Sequence, residues 1–447
     1  MPNKSLSVEE KIEFLISLYK KNLLKEALAK AEVFAQQHPD NPYIFNIYGI
    51  IHTSIGNYKK SIDYFFKSIK LDPNNAKTHN NLASAFNNLG QFKEAILNYT
   101  KATTLNSKFA EAHFNLGKTL NDVERFEDAI ISYCKAIDLE PNFEDAYNNL
   151  IKILTFYVPK KNYTNACIIS NKLLQNVIFN YDLYNKISNS DIKSFFKICN
   201  NIILKNKNID SLKSIETQIY RRNTTNLNCG RHFEVFNTFN AIPKFCFECF
   251  KVLIEPNNVV DLFKLYFVFD NLNLKNNNTR KCMIEFRSNI SGSYKGYIYC
   301  SSLNEANEIR DQVDEIVKKK IEKNIPTNVK RGCSEFGISY PEYKKINDGN
   351  SKLMKYNKEW KEKEKLIDDK RSEENILIKE KLQKSLHGIT ISDILIMRNW
   401  LGYAKKIGDL SYKNIINDIT IQSMIEKKLS DQLLERSKQF NSSITKR

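Results

Sequence analysis

The 447-residue sequence has no run approaching the 18 or more uncharged apolar residues of a membrane-spanning helix, and its opening, MPNKSLSVEE, has no apolar stretch of the kind a secretory leader requires. A membrane protein and a secreted protein are therefore not expected. Glycine is scarce, at 13 residues. There is no G-x-G-x-x-G after a strand pattern, and no Walker loop, H-E-x-x-H, G-x-S-x-G elbow or kinase set. The nine cysteines stand singly or in one cluster, without the dense, even spacing of a disulfide scaffold. The expected compartment is a reducing cytoplasm. Arginine is also sparse, supplying about a dozen of the 68 basic residues beside much Asn and Ile. The formal charge of +17 is thus in part a bias of composition. It is also unevenly placed: residues 1–156 hold 18 basic and 18 acidic side chains, and the remainder holds 50 against 33.

What is present in the first third is a repeat. Leu71-Asp72-Pro73, Leu105-Asn106-Ser107 and Leu139-Glu140-Pro141 recur every 34 residues, and Pro39 lies one period before Pro73. Small residues at Gly49, Ala83 and Gly117 each precede by seven residues a turn position held by Gly56, Gly90 and Glu124. Aromatics follow at Tyr58, Phe92 and Phe126, then small residues at Ser61, Ala95 and Ala129. Each unit reads as two short helices joined by a tight turn. The small residues admit close approach, the aromatics are expected to fill the gap, and the proline stops the second helix. One such hairpin cannot bury its own apolar face, so the units must stack. The first unit departs from the pattern at Leu15, where a small residue belongs.

This pattern resembles the tetratricopeptide repeat family, with about four units over residues 8–143 and a further helix up to residue 156. The resemblance implies a helical solenoid whose first helices line a concave groove. In this register the groove positions include Asn46, Asn80, Asn87, Phe114, Lys118 and Asn148. Asn81, Asn115 and Asn149 recur at one repeat position, with Ile47 interrupting the series. An amide offers a donor and an acceptor together, so such a row suits the backbone of an extended peptide. The row is similar to the asparagine ladder in the repeat domain of O-linked N-acetylglucosamine transferases, although no nucleotide-binding halves follow it here. Helix capping and composition bias account for the same asparagines without a ligand. A clamp for C-terminal carboxylates is not expected, because only Lys118 and Lys152 are candidates.

Residues 157–225 keep a helical style but lose the period, and read as degenerate hairpins capping the solenoid. Cys134, Cys167 and Cys199 read as small buried hydrophobes. Within residues 226–250, Cys229-Gly-Arg-His232 and Cys246-Phe-Glu-Cys249 form C-x2-H and C-x2-C pairs 13 residues apart. Four such ligands would close a structural zinc site. The alternatives are buried thiols unrelated to one another and redox or cluster chemistry. If a strand starts early in FCFECFKVLIEP, Cys246 and Cys249 point to opposite faces.

From residue 250 to 345 the order of patterns is β-α-β-β-α-β, which suggests a ferredoxin-like sandwich, making the chain α+β overall. Lys295-Gly-Tyr297-Ile-Tyr299 resembles the stacking strand of RNA-recognition modules, with Tyr297 and Tyr299 as the candidate base platforms. The first strand, centred on Val252-Leu253-Ile254, lacks the matching aromatic, and a sheet with locally packed tyrosines fits the same residues. Cys333 beside Arg331 has no nearby histidine to act as its base. Residues 346–447 read as charged and amphipathic helices, among them ITISDILIMRNWLGYAKKIGDL, with Ser392 as the cap, Gly408 as the stop and Trp400 as a core anchor.

The leading expectation is a non-catalytic scaffold that binds an extended peptide or a partner helix in the repeat groove. The second is a nucleic-acid-binding adaptor working through the basic C-terminal half. The third is a transferase or hydrolase with a cleft joining Cys333, Glu335 and Tyr343 to the cysteine cluster.

Overall fold

In the computed structural model, residues 7–179, 185–212, 216–223, 227–346, 354–373, 383–417 and 432–441 are described. The chain forms two compact units, Met1–Ile153 and Leu154–Arg447. No helix among the described residues is long and apolar enough to cross a membrane.

Among the described residues the first unit has nine helices: α1 (Val8–Lys20), α2 (Leu24–Gln37), α3 (Pro42–Ser54), α4 (Tyr58–Leu71), α5 (Ala76–Asn88), α6 (Phe92–Leu105), α7 (Ala110–Asp122), α8 (Phe126–Leu139) and α9 (Glu144–Ile153). The turns between paired helices share one device. Asn22, Gly56, Gly90 and Glu124 all have positive φ, between 58° and 79°. They stand 34 residues apart, so one sharp left-handed residue per unit folds each hairpin. Pro39, Pro73 and Pro141 lie two residues beyond the ends of α2, α4 and α8, where a helix cannot continue.

The close approach within each hairpin differs from the sequence expectation. Tyr58, Phe92 and Phe126 start their helices half-buried, whereas the rings behind the small residues are Phe65, Tyr99 and Tyr133, also 34 residues apart and all buried. A Cβ added to Gly49 would sit 2.5 Å from the Phe65 ring, and one added to Gly117 would sit 2.8 Å from the Tyr133 ring. In the first unit the sizes are exchanged. Leu15 stands at the small position, and Ala31 stands where Phe65 does one period later; both are fully buried in one core cluster. The volume is kept while its owner changes, which core packing tolerates.

The second unit contains α10 (Ala166–Gln175), α11 (Asn189–Leu204), α12 (Lys207–Asp210), β1 (Gln218–Arg221), α13 (Cys229–Phe239), β2 (Phe250–Ile254), α14 (Val259–Asn271), β3 (Arg280–Ile284), β4 (Tyr294–Cys300), α15 (Leu303–Lys320), β5 (Thr327–Arg331), α16 (Ser334–Ser339), α17 (Trp360–Glu373) and α18 (Ile391–Ile407). The strands form one antiparallel sheet in the order β1-β3-β4-β2-β5. The helical segments α10 and α11 pack against α14 and α18 of this same unit.

Strand alternation gives the sheet two unlike faces. Val252, Ile254, Cys282, Ile284, Gly296 and Ile298 face the helices, and Gly296 lets Leu265 and Phe269 of α14 lie directly on the backbone. The other face carries Lys251, Leu253, Lys281, Met283, Lys295, Tyr297, Tyr299 and Lys330.

A buried ion network ties the unit together. The Arg221 guanidinium donates to Asp270 at 2.6 Å, to both oxygens of Asp393 at 3.2 and 3.3 Å, to the Gly388 carbonyl at 2.9 Å and to the Tyr266 hydroxyl. Helix α18 is capped by Thr390, in a reciprocal box with Asp393, and not by Ser392 as the sequence suggested. The box wins because it satisfies two backbone N–H groups at once. Gly408 ends the helix in the left-handed region, as expected. Trp400 is fully buried and donates its ring N–H to the Thr217 carbonyl at 2.8 Å.

Two glycines in one hairpin separate backbone strain from crowding. A Cβ at Gly56 would meet nothing within 4 Å, so Gly56→Ala carries only the left-handed penalty of about 1–2 kcal/mol. Gly49→Ala overpacks the core, at about 1–3 kcal/mol. Native-state hydrogen exchange in α3 and α4 should show both losses. Adding Phe65→Leu should restore protection only to the Gly49 variant, and equal restoration of the two would contradict the packing account.

Candidate functional site

The asparagines of the repeat unit do not stand as separate hooks. Asn81 Nδ2 donates to Asn46 Oδ1 at 3.0 Å, and Asn115 Nδ2 donates to Asn80 Oδ1 at 3.2 Å. Each bond runs from the first helix of one repeat to that of the repeat before it, 35 residues back. Thr119 adds a parallel link by donating to Asn87 Oδ1 at 3.2 Å. Each of the two Asn–Asn pairs uses one N–H and one carbonyl oxygen, leaving an amide oxygen on the donor residue and an NH2 on the acceptor residue for a further partner.

The row stops after α7 for a reason visible in the register. The acceptor position is occupied by Asn46, Asn80 and then Phe114, so Asn149 has no amide one repeat back. Its Nδ2 turns to the Asp145 carbonyl of its own helix at 2.8 Å. Phe114 packs on Phe143 at 4.9 Å and on Tyr133 at 6.0 Å between ring centres. Asn80 is buried, Asn46, Asn81, Asn87, Phe114, Asn115 and Asn149 are half-buried, and Lys118 and Asn148 are exposed.

In the second unit, the polar face of the sheet gathers charge around two rings. Tyr297 and Tyr299, the candidate base platforms, are 6% and 8% exposed and sit in a cluster with Met283, Leu227 and Leu253. Their faces are taken by lysines. Lys251 lies 4.9 Å from the Tyr299 centroid, and Lys281 and Lys330 lie 5.3 and 5.6 Å from that of Tyr297. Burial first, and then the charge of Lys251, pulls Lys281 down to about 8 and Lys330 down to about 7. Burial lowers Lys295 as well, with Glu285 and Glu255 opposing. The sequence did carry a signal for this face. Each strand of FKVLI, RKCMI, KGYIY and NVKR has one lysine at a position that shares a face with the others.

The cysteine cluster surrounds the same lysines. Lys251 Nζ donates to Cys333 Sγ at 3.3 Å, and the Gly332 N–H beside it donates to the Cys249 carbonyl at 2.7 Å. Cys249 is pushed up to about 11 by burial, with Lys251 opposing, and Cys229 is raised for the same reasons. His232 is buried, with its ring stacked on Phe245 at 5.1 Å. Burial, then Arg231, lowers it to about 4. Cys246 is buried in a 3₁₀ turn whose carbonyl accepts from Tyr343. No group of three or more His, Cys, Asp or Glu side chains among the described residues is arranged to hold a metal ion, so Cys229, His232, Cys246 and Cys249 do not converge here on a tetrahedral centre. Tyr343 and Cys333 belong to the same apolar cluster as Cys246. Glu335 pairs instead with Arg287.

The lysine face makes stability depend on pH. The lysine reference value is 10.5, and folding lowers Lys330 to about 7. Between those values the unfolded chain holds the extra proton, so stability rises with pH across that window and is lost as pH falls through the lower value. In phosphate-free buffer of low ionic strength, the thermal midpoint should rise from about pH 7 to about pH 10. Lys330→Met should flatten that rise; an unchanged slope would contradict it.

Models of three tetratricopeptide-type families match the repeat region: "Tetratricopeptide repeat" at residues 43–75 and 110–143, a second "Tetratricopeptide repeat" at 64–96, and "TPR repeat" at 84–122. None of the curated proteins matches. Among solved structures, MamA from Desulfovibrio magneticus RS-1 is 22% identical, covering 32% of this chain and 84% of its own, with a TM-score of 0.29. YrrB, described as a TPR protein with an unusual peptide-binding site, is 23% identical over 34% of this chain and 77% of its own, with a TM-score of 0.29. The first TPR of Spaghetti (RPAP3), bound to the HSP90 peptide SRMEEVD, is 29% identical over 25% and 90%, with a TM-score of 0.25. Residues 43–143 are thus a tetratricopeptide-repeat region.

Proposed function

We propose that the chain is an interaction scaffold whose repeat unit holds an extended peptide segment of a partner protein along the amide row of α3, α5 and α7. The observation that carries this reading is the pair of inter-repeat bonds, Asn81 to Asn46 and Asn115 to Asn80. They fix the amide planes before any ligand arrives, which reduces the entropy lost on binding. A peptide backbone supplies alternating N–H and C=O groups, matching the unused oxygen and NH2 of each pair. The repeat unit has no net charge, so such binding relies on hydrogen bonding and shape and not on long-range attraction.

The second unit has the element order and the strand order, β3-β4-β2-β5, of a ferredoxin-like sandwich with β1 added at an edge. We read it as that fold. A nucleic-acid adaptor using Tyr297 and Tyr299 has less support, because both rings are buried beneath lysines. A structural zinc at Cys229, His232, Cys246 and Cys249 rests on sequence spacing alone. Its test is elemental analysis: about one zinc per chain, lost in the Cys246→Ser, Cys249→Ser variant, would support it, and a metal-free, fully folded protein would remove it.

The groove reading is tested with a peptide selected on the full-length chain from a random library. Asn81→Ala with Asn115→Ala should weaken that peptide roughly tenfold or more, the scale of one or two lost hydrogen bonds. The thermal midpoint should move by only a few degrees. If the double variant loses stability but binds the peptide as the parent does, the amides serve the solenoid and not a ligand.

A further inference from the structure

Three lysines meet on the sheet without a counter-charge. The Nζ atoms of Lys281, Lys330 and Lys251 lie 5.3, 5.6 and 6.0 Å from one point, the centre of the Tyr297 ring. Their hydrogen-bond partners are neutral groups or a thiol. Lys281 donates to Gln218 Oε1 at 3.1 Å and to the Tyr220 hydroxyl at 3.5 Å, Lys330 to Ser334 Oγ at 2.6 Å, and Lys251 to Cys333 Sγ at 3.3 Å. Among the described residues no carboxylate pairs with any of the three. Glu285, whose charge acts on Lys281, is held by Arg287 through two bonds of 2.7 Å, and Arg287 also takes Glu335.

We propose that this face binds a small phosphate-bearing molecule, with the ammonium groups of Lys251, Lys281 and Lys330 holding its phosphoryl oxygens. A phosphoryl group carries about 1.5 to 2 negative charges, against one for a carboxylate, and so answers three cations more fully. Lysine ammonium groups suit it as point charges with three rotatable donors. Lys251 is 6% exposed and forms the floor, while the half-buried Lys281 and Lys330 form the open side. Such a site admits a compact anion and excludes a polymer lying along the sheet, because the rings beneath are covered.

The test is isothermal titration of the full-length protein with inorganic phosphate and with pyrophosphate, in chloride buffer of constant ionic strength. Saturable binding is expected. Lys281→Met and Lys330→Met should each weaken it roughly tenfold or more, the scale of a lost charge-assisted hydrogen bond. Lys281→Arg should retain most of the affinity, and a variant at the exposed Lys101 of the other unit, Lys101→Met, all of it. Without phosphate, both methionine variants should melt higher than the parent, because a repelled charge is gone; weakened binding then cannot be ascribed to unfolding. Absent saturation, methionine variants that bind as the parent does, or a single-stranded oligonucleotide that binds tighter than pyrophosphate would each overturn the proposal.

Discussion

The second unit depends on one permanently charged group that burial would otherwise expel. A guanidinium does not give up its proton in a protein, so Arg221, with a side chain only 10% exposed, must be matched where it lies. Asp270 from α14 and Asp393 from α18 supply the charges, and Gly388 and Tyr266 complete the donors' partners. The edge strand, two helices and the turn before α18 are therefore fixed by a single side chain. Removing one member of such a set typically costs about 3–5 kcal/mol, because the stranded charges remain buried.

That arrangement decides what each face of the sheet does. The face toward α14 is apolar except for Arg221, matched by its two carboxylates, and the neighbouring buried Arg280, which donates to the Leu272 carbonyl and to Asn277 Oδ1. The opposite face collects the lysines of four strands over two tyrosine rings. The +17 charge, which lies wholly after residue 156, is thus not only a solvated excess. Part of it is turned inward and concentrated where water is partly excluded, and there it has consequences for stability.

Much of the first unit was legible because its structure is periodic. The left-handed turn at residues 56, 90 and 124, the stops at Pro39, Pro73 and Pro141 and the small residues at 49, 83 and 117 all follow from a 34-residue spacing. The wrong aromatics were chosen because Tyr58, Phe92 and Phe126 are also periodic; spacing alone does not say which ring faces inward. The exchange of Leu15 with Ala31 was hidden for the opposite reason, since two departures cancel in volume. In the second unit the order of helices and strands could be read from alternation. The Arg221 network could not, because its partners lie 49 and 172 residues away. The cysteine and histidine spacing was visible, but the stacking of His232 on Phe245 was not, because nothing in the spacing says which ring the imidazole meets.

The offset of 35 residues in the amide row, one more than the repeat, has its own result. Donor and acceptor always occupy different positions, so the row has a sense along the solenoid. At one end Ile47 supplies no donor to the preceding repeat, and at the other Phe114 supplies no acceptor to the following one. A surface with an amide terminus and an aromatic terminus is not the same when turned end for end. The two directions along the row are therefore chemically distinct.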